Sequence, residues 1–223
     1  MNTKQSSKTR LNWSKWDAVA VALVAGTLAI SFLVEPSLPP VVATHFDFHG
    51  HADGFSARAF AALFLPIVSL AIWAFMRFAM LLAPQAWRER MVTSPLSAAA
   101  CITVAFLSAL HFVTLRVALR GATSIGTELA VLLGMMWLAL AAILPRTRRN
   151  PIIGIRTAWT LSSDENWART HRMASYTFLV GGLLSLAAGF TGMSSEVTFA
   201  VTVAIASALV PAVYSWAIAK HTA

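Results

Sequence analysis

The side chains best suited to chemistry lie in one polar segment near the start of the chain. Residues 38–60 read LPPVVATHFDFHGHADGFSARAF, and imidazole and carboxylate groups take alternate positions there. The five residues of this row are His45, Asp47, His49, His51 and Asp53. Alternate residues of an extended segment project from one side, so the pattern predicts a polar row. Both groups are ligands for zinc and related divalent ions, which makes a zinc site one interpretation.

A zinc site requires three or four ligands that converge within about 2 to 2.3 Å of the ion. Alternate residues of one strand are too far apart for the whole row to bind a single ion, so ligands from other segments are needed. Glu35, His111 and Glu128 are further candidates. The predicted ligand set is His45, Asp47, His49, His51 and His111. The alternative is a solvent-exposed polar loop in which His45 and Asp53 hydrogen-bond the turns.

A second polar segment, residues 145–172, reads PRTRRNPIIGIRTAWTLSSDENWARTHR. Asn150-Pro151 and Gly154 are typical of turns. Ser162 and Glu165 have capping-box spacing, which predicts a helix that starts near Ser163. Arginine, tryptophan and histidine are concentrated in the segment, and arginine and aromatic residues dominate the energetic centres of protein interfaces. The same residues can instead anchor a segment to lipid headgroups, and Arg156 can instead cap a helix end or pair with an acidic neighbour.

The composition indicates where these segments are placed. The chain of 223 residues is 57% hydrophobic and only 12% charged, and its mean hydropathy is +0.68. A helix needs about 20 apolar residues to cross a hydrocarbon layer about 30 Å thick. Six runs are long enough, and we place them at 16–35, 60–82, 96–117, 127–144, 173–192 and 197–218. The sequence therefore predicts an all-α integral membrane protein with six transmembrane helices in contact with the lipid bilayer.

The net charge of +8 reflects topology rather than nucleic-acid binding. If the N-terminus is cytoplasmic, most of the 17 basic residues fall in cytoplasmic segments, as the positive-inside rule requires. Arg58, Arg116 and Arg120 are the ones placed outside, and Arg77 is expected to reach from the second run to the headgroups. Both termini are then cytoplasmic, and the histidine row lies outside. We expect no direct nucleic-acid binding.

This topology divides the chain into five parts. A cytoplasmic basic tail covers 1–15, and the first helix pair covers 16–82, with a small extracytoplasmic loop domain at 36–59 between helices 1 and 2. Helices 3 and 4 follow at 96–144, the cytoplasmic motif loop at 145–172, and helices 5 and 6 at 173–218. Gly181, Ser185 and Gly189 form a small-residue face on helix 5, which favours close helix packing.

Two stretches together resemble the SdpI family of bacterial membrane proteins. The first is similar to the N-terminal extracytoplasmic domain of that family, and the matching residues are Pro39, His45, Phe46, Gly50 and Asp53. The second is similar to its Gly-Ile-Arg-Thr signature, and the matching residues are Asn150, Gly154, Ile155, Arg156, Thr157, Trp159, Thr160, Leu161, Trp167, His171 and Arg172. Ala158 stands where the family commonly has proline, and His49 and His51 lie outside the family pattern.

The resemblance covers roughly residues 16–218 and implies a six-helix bundle in a bacterial inner (cytoplasmic) membrane. For the named member of the family it implies immunity to an extracytoplasmic antimicrobial peptide and capture of a transcriptional repressor at the cytoplasmic face. The residues expected to bind the cytoplasmic partner are Asn150, Gly154, Arg156, Thr157, Trp159, Trp167, His171 and Arg172. On this interpretation the protein is not an enzyme and has no catalytic residues.

Two alternatives come from other classes of protein. A metal-dependent membrane enzyme or a metal-ion carrier would use the His/Asp row, with zinc as the expected cofactor. A small-solute transporter is disfavoured, because the apolar runs hold few charges and no paired broken helices, which transport sites commonly require.

Overall fold

The structure is a computed structural model that describes residues 13–82, 93–192 and 195–220. Most of the predicted basic tail, including Lys4, Lys8 and Arg10, lies outside the described residues, as do Arg88 and Arg90. Seven helices occur in the described part of the chain: α1 (Lys15–Val34), α2 (Arg58–Leu82), α3 (Thr93–Arg120), α4 (Gly126–Ile143), the short α5 (Ala158–Ser162), α6 (Asp164–Thr191) and α7 (Glu196–Lys220). Six of them are long and apolar enough to cross a membrane, which confirms the predicted number.

The sixth helix begins well before the predicted start of its apolar run. It has 28 residues and starts at Asp164, because the Ser163 hydroxyl caps it by accepting the amide hydrogen of Asn166 at 3.2 Å. The expected capping residue, Ser162, instead ends α5. At about 1.5 Å per residue, α6 is longer than the hydrocarbon layer is thick. Its first turns therefore belong to the motif segment rather than to the apolar run.

The segment between α1 and α2 forms a β-hairpin, so the fold is not purely α-helical. Strands β1 (Val41–Phe46) and β2 (Ala52–Ala57) pair antiparallel. The carboxylate of Asp47 accepts the amide hydrogens of His49 at 2.8 Å and His51 at 2.9 Å, and Gly50 has a φ of 80°, which favours glycine. These contacts turn the chain in the middle of the histidine row. The five residues therefore do not form the single row that a fully extended segment would give.

The six long helices pack as two groups of three. Helices α1, α2 and α3 pack together, α4, α6 and α7 pack together, and α3 lies against α4. Because the long helices alternate in direction, the hairpin and the starts of α4 and α7 lie at one end of the bundle, which we call the hairpin end. The start of α1 and residues 144–163 lie at the other end, which we call the motif end.

In the second group, glycines let the helices approach closely. A Cβ atom placed on Gly134 of α4 would lie 2.8 Å from the backbone oxygen of Gly182 on α6. The predicted small-residue face of α6 contacts both neighbouring helices. Gly181 lies against Ser207 of α7, and Gly189 lies against α4. Such close approach is how helices gain van der Waals contact in lipid, where the hydrophobic effect does not drive association.

Pro211 of α7 is accommodated by a side chain from α6. Proline has no amide hydrogen, so it cannot bond the carbonyl of Ser207, four residues earlier. The Thr177 hydroxyl donates to that carbonyl at 2.8 Å. A threonine of the neighbouring helix thus satisfies the backbone group that the proline leaves, as is required inside a membrane.

In the first group, polar contacts connect the helices at the motif end. Arg77 was expected to reach the headgroups, but it is only 6% exposed, and its Nε atom lies 3.7 Å from the carboxylate of Asp17, which is 1% exposed. The Ser97 hydroxyl donates to that carboxylate at 3.1 Å and the Trp73 indole at 3.3 Å. Asp17 belongs to α1, Trp73 and Arg77 to α2, and Ser97 to α3. One buried carboxylate therefore joins all three helices.

Candidate functional site

The motif segment at the motif end starts with a turn that Asn150 holds in place. Its side-chain oxygen accepts the amide hydrogens of Ile152 at 2.8 Å and Ile153 at 2.9 Å, and its side-chain nitrogen donates to the carbonyl of Arg148 at 2.8 Å. The residue is only 5% exposed. Asparagine is required because both its donor and its acceptor are used, and its side chain serves this turn rather than a partner.

Trp167 and His171 form the buried centre of the segment, and Gly154 lies against them. Gly154 has a φ of 107°, and a Cβ atom there would collide with the imidazole of His171. That imidazole accepts the amide hydrogen of Ile155 on Nε2 at 3.1 Å and donates from Nδ1 to the carbonyl of Trp167 at 2.8 Å. The two hydrogen bonds together require a neutral ring with its proton on Nδ1.

Trp167 completes this centre. Its indole ring stacks on the imidazole of His171 with 4.0 Å between centroids, and its nitrogen donates to the carbonyl of Thr147 at 3.1 Å. The side chain is 2% exposed. The spacing of Gly154, Trp167 and His171 in the motif therefore has a packing explanation. Helix α6 supplies the two stacked rings, and the loop passes over them at Gly154, which has no side chain.

The segment is also fastened to α7. Thr157 caps α5 through a reciprocal bond pair with Thr160, and its hydroxyl lies 2.9 Å from the hydroxyl of Ser215. Asn166 of α6 donates to the backbone oxygen of Ser215 at 2.9 Å. Ser215, which is completely buried, thus receives contacts from both α6 and the motif loop.

The remaining residues of the predicted partner-binding set face outward. Arg156 and Arg172 are exposed, and Trp159 is 39% exposed. Arg156 donates to the carbonyl of Pro151, while the acidic neighbours Asp164 and Glu165 pair with Arg149 at 2.6 Å and Arg169 at 3.5 Å. A cavity of about 270 Å³ lies beside Trp159, between α5, the start of α6 and the end of α7. The set therefore divides into a framework held by contacts within the protein and an outward surface of Arg156, Trp159 and Arg172.

At the hairpin end the histidine row separates into two groups. His45 Nδ1 lies 2.5 Å from the carboxylate of Asp53, and both side chains are exposed. In the turn, His49 and His51 lie 3.7 Å and 3.9 Å from the carboxylate of Asp47. The amide hydrogen of His51, together with that of His49 and the two imidazoles, lowers the pKa of Asp47.

The predicted metal ligands do not come together. His111 is completely buried in α3, and its Nε2 lies 2.7 Å from the hydroxyl of Ser31 on α1. Glu35 pairs with Arg58 at 2.9 Å, and Glu128 pairs with Arg116. Within residues 13–82, 93–192 and 195–220, no group of three or more histidine, cysteine, aspartate or glutamate side chains is arranged to hold a metal ion. The zinc interpretation is not confirmed.

A cavity of about 200 Å³ lies beneath the hairpin. Thr44, His45 and Phe46 of β1 form one wall, α2 and α3 contribute Phe64 and Leu110 among others, and Ile125 and Leu129 close the side towards α4. The cavity is therefore bordered by both groups of helices. Its lining is mainly apolar, with threonine hydroxyls and the His45 imidazole as polar groups.

The tip of the hairpin is tied to the second group of helices. The carbonyl of Gly50 accepts the amide hydrogen of Ile125 at 3.0 Å, and the carbonyl of Phe48 accepts the hydroxyl of Thr198 on α7 at 2.7 Å. A Cβ atom on Gly50 would lie 2.8 Å from Gly126. This close approach gives a physical reason for glycine at a position of the family resemblance.

Three connecting residues were missed in the sequence: Asp17, Ser31 and Ser215. For Asp17 a signal was present, because it is an acidic residue in one apolar run and Arg77 is a basic residue in another, and ionisable groups within spans usually pair. Ser31 and Ser215 carried no such signal. Serines are common in membrane helices, and nothing in the sequence distinguishes these two from the others.

A bundle of six helices long and apolar enough to cross a bilayer defines a multi-pass membrane protein. Comparison with protein families then gives a narrower result. Residues 146–215 match the SdpI/YfhL protein family, and residues 22–70 match a domain of unknown function (DUF1648). The predicted resemblance is confirmed over these two stretches, which contain most of the motif segment and the hairpin. No curated protein and no solved structure matches the chain.

The packing of Gly154 predicts the effect of an added methyl group. Gly154→Ala should destabilise the protein by about 1–3 kcal/mol more than Gly121→Ala, because the new Cβ must displace His171 and Trp167. Gly121 is a suitable control: its φ of 64° is also positive, and no heavy atom of the described residues lies within 4 Å of a Cβ there. Thermal unfolding of the purified variants measures the difference. Equal melting temperatures would contradict this account of the motif.

Proposed function

We propose that this chain is an SdpI-like protein of a bacterial inner membrane that senses, or gives immunity to, an extracytoplasmic antimicrobial peptide. A cytoplasmic surface made by the motif segment binds a regulatory partner, for which a transcriptional repressor is the candidate. The family match supports the class of function. The observation that carries the proposal is the cavity beneath the hairpin, because both groups of helices border it.

The distribution of charge supports this orientation. At the hairpin end, Arg58 and Arg116 are neutralised by ion pairs with Glu35 and Glu128. At the motif end, five arginines are exposed: Arg146, Arg148, Arg156, Arg169 and Arg172. Positively charged segments are retained on the cytoplasmic side. The motif end is therefore assigned to the cytoplasm and the hairpin to the outside.

The cavity suits an apolar side chain of a membrane-active peptide. Phe46 and Phe64 offer apolar contact, and the paired His45 and Asp53 offer polar contact beside the cavity. A ligand shifts a conformational equilibrium only if it prefers one of the two states. An occupant of this cavity can have such a preference, because the distance between the α2–α3 wall and the α4 wall sets the space available.

The outward surface of the motif segment suits a protein partner. Arg156, Trp159 and Arg172 project from a framework in which Asn150, Trp167 and His171 are already hydrogen-bonded within the protein. A rigid framework keeps exposed aromatic and arginine side chains in place, which lowers the entropy lost on binding. The framework also contacts α7 at Ser215, while the hairpin contacts α7 at Thr198, so one helix adjoins both surfaces.

Sidedness is tested with single cysteines in a Cys101→Ser background. Phe48 is 69% exposed at the hairpin tip, and Ala158 is exposed in the motif segment. Phe48→Cys should react with a membrane-impermeant maleimide in intact spheroplasts, whereas Ala158→Cys should react only after the membrane is permeabilised. Gel-shift labelling measures both variants. The reverse pattern would overturn the assigned orientation.

The role in immunity is tested by survival of a peptide-sensitive bacterium challenged with a panel of purified membrane-active peptides. Expression of the chain should raise the inhibitory concentration of at least one of them. His45→Ala should reduce that protection about fivefold, as expected for the loss of one hydrogen bond. His49→Ala is the matched control, since His49 is also exposed but does not line the cavity. Protection against none of the peptides, or equal loss in both variants, would contradict the proposal.

Partner binding is tested with a fluorescent fusion of a helix-turn-helix regulator encoded beside the gene. The chain should recruit the fusion to the membrane, and Arg156→Ala or Trp159→Ala should weaken recruitment by tenfold or more, as for interface hot spots. Arg148→Ala and Trp216→Ala are matched controls, because both residues are exposed outside the outward surface. Recruitment that survives both motif substitutions, or that occurs without the chain, would exclude this surface as the binding site.

A further inference from the structure

A groove of about 370 Å³ runs between α6 and α7 on the outer surface of the bundle. It forms because Gly181 has no side chain and lies directly against Ser207. The walls are mainly apolar, and the largest contributors are Tyr176, Val180, Leu184, Val203 and Val210. The Thr177 hydroxyl in the groove already donates to the backbone of Ser207, so it is not available as a polar anchor for a ligand.

The dimensions of the groove fit a single extended chain. From Tyr176 to Leu184 the helix rises about 12 Å, so the groove extends over about two helical turns. It is open at the outer surface of the bundle and its walls are mainly apolar, so a lipid acyl chain can lie along it.

The charge at one end of the groove indicates the kind of lipid. Counting about 20 residues back along α6 from its end at Thr191 reaches Arg172, which places this arginine at headgroup level. Arg172 is exposed, and it takes part in none of the ion pairs found among the described residues, whereas its neighbour Arg169 lies 3.5 Å from Glu165. Tyr176 follows one turn later on the same face and is 60% exposed, in the position where tyrosine hydroxyls meet headgroups.

We propose that the α6–α7 groove binds one acyl chain of an anionic phospholipid, whose phosphate group contacts Arg172 and the hydroxyl of Tyr176. The site is separate from the cavity beneath the hairpin, and Arg172 is the one residue that it shares with the outward surface of the motif segment. A lipid bound there spans α6 and α7 next to the motif segment. Because it binds only the folded bundle, it stabilises the packing of these two helices.

The test measures lipid retention by native mass spectrometry on delipidated, detergent-purified protein titrated with phosphatidylglycerol or phosphatidylcholine. The native chain should retain one phosphatidylglycerol in preference to phosphatidylcholine. Arg172→Gln should reduce that preference about fivefold, which is the expected effect of one basic residue near a membrane surface. Arg120→Gln is the charge-matched control, because Arg120 is exposed at the hairpin end.

Filling the groove provides a second measurement. Ala206 lines the groove and is exposed, so Ala206→Phe should remove retention of both lipids, whereas Ile205→Phe, on the same helix outside the groove, should not. If Ala206→Phe does not fold, the comparison of Arg172→Gln with Arg120→Gln decides alone. Equal retention of the two lipids by the native chain, or equal effects within either matched pair, would overturn the proposal. A dimer that dissociates in Ala206→Phe would also overturn it, since a second copy would then occupy the groove.

Discussion

The close approach of α6 to its two neighbours is the contact on which the motif segment depends. Lipid tails are as apolar as leucine, so helices in a membrane associate through close packing and polar contacts. Gly134 and Gly182 bring α6 to α4, and Gly181 brings it to α7. Only at this separation can Asn166 reach the backbone of Ser215 while Trp167 reaches that of Thr147. The positions of the motif residues thus depend on glycines that lie outside the motif in sequence.

The first group of helices is held together by different means. Its buried polar groups have no water to bond, so a partner within the protein stabilises each one that has it. At the motif end, the Asp17 carboxylate accepts hydrogen bonds from Ser97 and Trp73 and pairs with Arg77. Farther along α1, Ser31 hydrogen-bonds His111. Helix α1 is therefore fixed by polar contacts at two levels. Such contacts specify one register of the three helices, because a shift would leave a buried charge or hydroxyl without a partner.

The sequence predicted the features that depend on local composition and on recognisable motifs. Hydropathy located all six long helices, and the motif residues located the two polar segments. It did not predict the hairpin turn, because alternation alone cannot show that Asp47 would bond the amides of two following residues. Nor did it predict the contact between Ser31 and His111, which lie 80 positions apart. The sequence also did not predict the division of the motif into framework and outward surface, since it depends on which side chains of α6 meet the loop in space.

Helix α7 contacts both polar segments, and Pro211 lies between the two contacts. Thr198 holds the hairpin before the proline, and Ser215 holds the motif segment after it. The bond that the proline removes is replaced by one from the Thr177 hydroxyl of α6 at 2.8 Å, so the neighbouring helix satisfies the carbonyl of Ser207 that α7 itself cannot. A change at the hairpin that moves α7 should therefore move α6 with it. The tight packing at Gly181 favours such joint movement over independent bending of α7.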